Sequence, residues 1–117
     1  MSSNIFNLVA DEEYASLKEL LVSGGNSNEI YNDKSYEHDV GITPIYLAVL
    51  SGNVEILKLL IEHGANVNYA IPDEYVSQDV YAENPLSLAL QARFLMSKEK
   101  YGPIVKLLEE NGAIDET

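Results

Sequence analysis

The sequence contains no cysteine, which excludes a disulfide framework and a metal site built from thiolates. Basic residues are few: seven lysines and arginines face nineteen aspartates and glutamates, for a formal net charge of −12. Phosphate backbones and anionic membranes repel such a surface, so neither a nucleic acid nor a membrane is an expected direct partner. A basic protein partner would be attracted and steered to it. The alternative is that the acidity only keeps the protein in solution.

Long hydrophobic runs are also missing. No apolar segment approaches the roughly 20 residues that are needed to cross a bilayer, and residues 1–4 lack the basic start of a signal peptide. These absences predict a soluble cytoplasmic protein. A length of 117 residues with 46% hydrophobic residues predicts one folded domain, residues 1–117, with a real core.

The most informative stretch is residues 41–68, GITPIYLAVLSGNVEILKLLIEHGANVN, where Gly52-Asn53 separates two short apolar segments. Thr43 can cap the first helix, and Pro44 takes the first helical position, where its missing N–H costs nothing. Gly64 can end the second helix in a left-handed conformation. The stretch resembles an ankyrin repeat, whose signature is a TPLH-type turn and two antiparallel helices at a period of about 33 residues.

The same pattern recurs on both sides of this stretch. LKELLVSGGNSN, from Leu17, aligns without gaps with LKLLIEHGANVN, from Leu57. Asn84-Pro85 repeats the turn, with Asn84 in the capping role. The resemblance therefore implies an all-α ankyrin-repeat solenoid of three helix-turn-helix pairs with β-finger or loop connections. The repeats are expected at about 4–28, 41–68 and 82–115, with helix pairs near residues 4–24, 43–63 and 84–111.

The apolar pattern also predicts the faces of the second helices. Leu60 points inward on a helical wheel, whereas Ser16, Glu19 and Glu109 make the two outer flanks polar. Polar outer flanks are typical of terminal repeats, and they predict a complete, capped unit of three repeats.

The third repeat departs from the family pattern. Its first helix is expected to continue through Met96, as far as Lys98, and Gly102-Pro103 is expected to restart the chain. Its second helix would then be residues 104–110.

Two connections, the finger segments 29–40 and 69–83, are longer than the family's usual finger by about seven and eight residues. Residues 29–41 and 69–83 together carry eight acids, one base and five of the eight tyrosines. Disordered inserts are an alternative, but disordered segments are poor in aromatic residues. A binding surface with aromatic anchors and a charged rim accounts for both the acids and the tyrosines.

The resemblance implies that the residues before each turn, and the last residues of the first helices, face a concave groove. Tyr46 stands where family repeats usually carry His, so the bond that this His makes between turns is not carried over. The predicted partner-binding residues are Tyr36, Asp39, Val40, Ile42, Tyr46, Leu50, Ser51, Tyr75, Asp79, Val80, Tyr81, Glu83 and Gln91. The apolar ones Val40, Ile42, Leu50, Val80 and Tyr81 are expected to form an exposed patch ringed by acids. The alternative is that the long fingers fold back and bury them.

Residues for catalysis or cofactor binding do not form a pattern. His63 ends a helix, His38 lies in a finger segment, and no nucleophile accompanies either. The run 11–13, Asp-Glu-Glu, suits a helix N-terminus, with a metal site as the sharper alternative. Gly24-Gly25 follows a helix, whereas a phosphate loop would precede one. We therefore predict no enzyme activity, no cofactor and no metal.

These observations favour a non-enzymatic, monomeric protein-binding module that docks a basic protein partner on its acidic, tyrosine-bearing concave face. By analogy, its small size and acidity fit an immunity or antitoxin protein that neutralises a toxin such as a nuclease. The alternatives are an adaptor or host-directed effector that recruits a cellular protein, and a nucleic-acid mimic that occupies a nucleic-acid-binding groove.

Overall fold

The computed structural model of the chain describes residues 5–30, 42–71 and 84–114. These residues form three helix pairs and contain no β-strand. The pairs are α1 (Ile5–Ala10) with α2 (Tyr14–Val22), α3 (Pro44–Ser51) with α4 (Val54–Glu62), and α5 (Pro85–Leu95) with α6 (Lys98–Glu110). The predicted all-α architecture of three helix-turn-helix pairs is confirmed. Most of both finger segments lies outside the described residues.

The pairs stack in one direction. α3 packs against α1 on one side and α5 on the other, and α4 packs between α2 and α6 in the same way. Leu60 on α4 is completely buried, as its inward position on the wheel predicts. Ser16, Glu19 and Glu109 are exposed, so the polar flanks also lie where the sequence pattern places them.

Asparagines start two of the helices. The side chain of Asn53 accepts a hydrogen bond from the Ile56 N–H, and that of Asn84 accepts one from the Ser87 N–H. Thr43 does not act in this way, so its predicted capping bond is wrong: its side chain is buried, and its hydroxyl oxygen has no hydrogen-bond partner within the described ranges. α3 instead begins with Pro44, whose fixed φ already suits a helix.

The third pair also differs from the prediction. α5 ends at Leu95, and α6 begins at Lys98 and continues without interruption through Gly102 and Pro103. The expected restart at Gly102-Pro103 is therefore wrong. The Ser97 hydroxyl accepts from the Lys100 N–H and caps an additional first turn, which contains the buried Tyr101. Burial of this large ring favours the turn although Gly and Pro follow it.

The turns within the first two pairs share a left-handed residue. Gly52 has φ 69°, and Glu12, at the equivalent place in the first pair, has φ 56°. A side chain in this conformation costs roughly 1–2 kcal/mol. The Glu12 carboxylate accepts a hydrogen bond from the Asn53 side chain at 2.7 Å, which connects the first turn to the second.

A second set of bonds connects the turns that follow α2, α4 and α6. The Asn28 side chain donates to the Gly64 carbonyl at 2.9 Å and accepts from the Asn66 N–H at 2.6 Å. One repeat further on, the Asn68 side chain donates to the Gly112 carbonyl at 2.9 Å and accepts from the Ile114 N–H at 2.8 Å. We call these four bonds the asparagine ladder, because they repeat with the stack.

Candidate protein-binding surface

The ends of both finger segments are held in the stack. Ile42, just after the first segment, and Ile71, within the second, are both buried in the main core. Ile42 is only 4% exposed, so its predicted place in an exposed patch is wrong. Its side chain joins the core cluster two residues before α3 begins.

Tyr46 is also a core residue. It is 5% exposed and belongs to the same buried cluster as Ile42, so its side chain lies in the core and not on an exposed surface. Tyr69, at the start of the second finger segment, is half-buried and packs against this cluster. The other predicted finger residues lie outside the described residues: Tyr36, Asp39, Val40, Tyr75, Asp79, Val80, Tyr81 and Glu83.

The predicted residues at the ends of the first helices are accessible. Leu50 is 45% exposed, and Ser51 and Gln91 are half-buried. Leu50 and Gln91 come together in one groove of about 400 Å³, which we call the tip groove. Ser51 does not line it. The groove is bounded by Val49, Leu50, Leu88, Gln91, Ala92, Leu95, Met96 and Tyr101.

The sequence-based site missed the most exposed apolar side chains. Phe94, Leu95 and Met96 are 87%, 69% and 73% exposed. Three consecutive residues of a helix point in directions about 100° apart, so they cannot all face one core. That spacing, together with Ser97 as a helix cap, was a usable signal that the turn between α5 and α6 exposes them.

Tyr101 fixes this turn to the middle repeat. Its hydroxyl donates to the Leu50 carbonyl at 3.1 Å, and its ring is buried beneath the tip groove. Burial raises the pKa of Tyr101 above its usual value of 10.0, because the low-polarity surroundings disfavour the phenolate. The Lys100 ammonium lies 5.9 Å from the centre of the same ring.

The described ranges contain no group of three His, Cys, Asp or Glu side chains that could hold a metal ion. Within those ranges no helix has the length and hydrophobicity that crossing a membrane requires. His63 is exposed at the end of α4, where its backbone carbonyl accepts from the Ser27 hydroxyl.

Known proteins agree with the stacked helix pairs. A family model described as ankyrin repeats (3 copies) matches residues 6–116. The chain is similar to the ankyrin repeat protein FPV222 of fowlpox virus (strain NVSL), with 28% identity over 106 residues. That match covers 90% of this chain and 13% of the viral protein.

A solved structure has the same fold. The crystal structure of the human ASB11 ankyrin repeat domain matches with a TM-score of 0.68 and 23% identity, covering 99% of this chain and 42% of that one. The chain thus spans less than half the length of either similar protein. With a family match across almost all of its residues, the chain belongs to the ankyrin-repeat family, whose repeats typically serve as non-enzymatic scaffolds for protein–protein interaction.

Proposed function

We propose that this chain binds a basic protein partner through the acids and tyrosines of the finger segments, 29–40 and 69–83. The observation that carries the proposal is the distribution of charge and aromatic residues. Residues 29–41 and 69–83 hold eight acids against one base, which is −7 of the net −12, together with five tyrosines. A solvated linker explains the acids but not the tyrosines, and a core explains the tyrosines but not the acids. An interface with aromatic anchors and a charged rim explains both.

The anchoring of the finger segments supports this proposal. Ser27 and Asn28, before the first segment, bond to the His63 and Gly64 carbonyls, and Ile42 after it is buried. The second segment contains the buried Ile71 and is followed by Asn84, which caps α5. The described residues on both sides of each segment are therefore fixed points of the stack. Fixed ends reduce the conformational entropy that a loop loses when it binds.

The partner class follows from the charge. An acidic surface speeds the association of a basic protein and slows that of an acidic one. Nucleases that bind phosphate backbones need basic surfaces, so a nuclease toxin fits this chemistry. We therefore assign the chain an inhibitory role of the immunity or antitoxin kind, in which it covers the basic site of such a toxin.

Binding kinetics with charge-reversed variants test the proposal. The partner is captured from the source organism with the wild-type chain, purified, and measured at two salt concentrations. Asp39→Lys combined with Glu83→Lys should slow association and flatten its salt dependence. Glu19→Lys combined with Glu109→Lys is the matched control, because it makes the same change in net charge on the exposed outer flanks.

The partner's own activity provides the second readout. A basic nuclease should lose its activity when the wild-type chain is added, and should retain it with the finger variant at the same concentration. An acidic partner that the finger variant binds more tightly than the wild type does would contradict the proposal, and so would a finger variant that binds as tightly as the control variant. A captured protein that keeps full activity in the complex would favour the adaptor. Competition between this chain and nucleic acid for one groove of the partner would favour the nucleic-acid mimic.

A further inference from the structure

The third helix pair is longer than the second at the turn between its helices. α5 has eleven residues where α3 has eight, and α6 has thirteen where α4 has nine. The starts of the first helices and the ends of the second helices match across the two repeats. The added residues therefore extend the α5–α6 turn by about one helical turn, roughly 5 Å. We call residues 93–101 the tip.

The tip carries an apolar surface that the other described residues do not cover. Phe94, Leu95 and Met96 are each more than two-thirds exposed, and Leu50 of the neighbouring repeat lines the same groove as Leu95 and Met96. Leu95 and Met96 line the tip groove, whereas Phe94 lies in a shallower depression with Leu90. Contiguous exposed apolar side chains of this kind mark interaction sites more often than ordinary surface.

The tip is also basic, in contrast to the rest of the protein. Arg93, Lys98 and Lys100 are three of the seven basic residues and lie within eight positions that contain one acid, Glu99. The remaining sequence has eighteen acids and four bases. Arg93 and Lys98 border the same depression as Phe94, so cationic and apolar groups are intermixed.

The tip is held in a fixed position before any partner arrives. The Tyr101 hydroxyl donates a hydrogen bond to the Leu50 carbonyl, and the Lys100 side chain lies over Gly52, where an added Cβ would clash with its Cε. The tip groove therefore has walls from two repeats in a defined arrangement. A preformed groove loses little conformational entropy on binding.

We infer that the tip groove docks an acidic amphipathic helix of a protein partner. Apolar side chains at i, i+3, i+4 and i+7 of that helix would enter the groove, and its carboxylates would meet Arg93, Lys98 and Lys100. The groove lies at the end of α5 opposite to Asn84, about 16 Å along the helix. The inference goes beyond the proposed function and does not depend on it.

The charge of the whole chain selects this occupant over two others. An anionic membrane or a second copy would approach a broad area of a protein that carries −12, and both would be repelled. A single helix is narrow enough, about 10 Å across, to contact the basic tip and little else.

A displayed library of helical peptides about 16 residues long tests the inference against the purified full chain. The apolar positions are fixed as Leu, and the others are varied among Glu, Gln and Lys. Glu-rich clones should be enriched. Leu95→Gln combined with Met96→Gln should weaken their binding at least about tenfold, as should Arg93→Glu combined with Lys98→Glu. With the Arg93→Glu and Lys98→Glu double variant as the target, the library should enrich Lys-rich clones and not Glu-rich ones.

Matched controls come from other helices. Val22→Gln removes an exposed apolar side chain from α2, and Lys18→Glu combined with Lys106→Glu reverses two exposed bases. Both should bind the Glu-rich peptides like the wild type, and thermal melts should show all variants folded. The inference is overturned if no clone is enriched, if Lys-rich clones are enriched on the wild type, or if tip and control variants bind alike.

The other occupants are tested with the same variants. The chain is mixed with vesicles of phosphatidylcholine and phosphatidylserine and sedimented. Co-sedimentation of the wild type but not of the tip variants would show that the groove binds an anionic membrane and not a helix. A dimer in sedimentation equilibrium that becomes a monomer in the Leu95→Gln and Met96→Gln double variant would show that the groove binds a second copy of the chain. Absence of both, together with Glu-rich peptide binding, supports the inference.

Discussion

The Asn28 side-chain oxygen accepts a hydrogen bond from the backbone N–H of Asn66 at 2.6 Å, across the boundary between the first and second repeats. The same side chain donates to the Gly64 carbonyl, and Asn68 makes the equivalent pair of bonds with the third repeat. These asparagines are therefore more than turn residues. They connect each repeat to the next by backbone groups that the helices leave unpaired.

Removing the two ladder bonds of either Asn28 or Asn68 should lower the free energy of unfolding. A hydrogen bond contributes about 0.5–1.5 kcal/mol net, so Asn28→Ala and Asn68→Ala should each cost roughly 1–3 kcal/mol. Urea unfolding of the variants measures this. Asn7→Ala, on the exposed side of α1, is the control and should change stability by less than about 0.5 kcal/mol. Equal effects at Asn7 and Asn28 would show that the ladder contributes nothing.

Sequence reasoning succeeded where local chemistry decides the structure. The ungapped match from Leu17 to Leu57, and the Asn84-Pro85 turn, placed all three helix pairs, because caps, Pro and apolar spacing act within a few residues. Ile42 and Tyr46 were assigned to the surface, but both belong to a core cluster whose members come from all three repeats. Nothing in their immediate sequence reports that packing.

The tip was missed for a similar reason. Gly102 and Pro103 are strong local signals against a helix, yet the Ser97 cap and the buried Tyr101 ring keep α6 continuous through them. Recognising this required the contact from Tyr101 to Leu50, 51 residues earlier. The groove that results from this contact could not be inferred from either repeat alone.

The two N-cap residues Thr43 and Asn84 should respond in opposite ways. The Thr43 hydroxyl is buried, and no described residue bonds to it, so Thr43→Val should leave stability unchanged or raise it by about 1 kcal/mol. The Asn84 side chain caps α5, so Asn84→Ala should cost about 1 kcal/mol. Thermal and urea melts compare the two. A loss of about 1 kcal/mol or more in Thr43→Val would show that its hydroxyl has a stabilising partner.

Leu60 and Glu19 test the assignment of inner and outer faces. Leu60 is fully buried at the middle of the stack, so Leu60→Ala should cost roughly 2–5 kcal/mol. Glu19 is exposed on the outer flank, and Glu19→Ala should change little. Denaturant unfolding of both variants is the measurement. Equal losses in the two variants would contradict the packing.

Tyr101 should contribute to the loss of stability at alkaline pH. Its folded-state pKa is raised, so above pH 10 the folded chain holds a proton that the unfolded chain releases. The contribution of the Tyr101 hydroxyl to the free energy of unfolding is therefore fully present below the unfolded-state pKa of 10.0. It is lost as the pH rises through the folded-state pKa. Urea unfolding between about pH 8 and 11 should give a flatter pH dependence for Tyr101→Phe than for the wild type. Tyr14→Phe, on the exposed side of α2, is the control. Parallel curves for wild type and Tyr101→Phe would contradict this effect.

Two glycines should respond differently to the same substitution. Gly102 lies within α6, directly before Pro103, and Gly64 follows α4 with φ 90°. Apart from the adjacent residues, a Cβ at either would meet nothing within 4 Å. Gly102→Ala should change stability by less than about 1 kcal/mol, because the smaller loss of backbone entropy in a helix is offset by the contact of the new Cβ with the Pro103 ring. Gly64→Ala should destabilise it by roughly 1–2 kcal/mol, because the left-handed conformation brings Cβ too close to the backbone. Thermal melts of the two variants compare the two effects. If Gly102→Ala is the more harmful change, α6 does not continue through Gly102 in solution, and the turn at the tip is not where the structure places it.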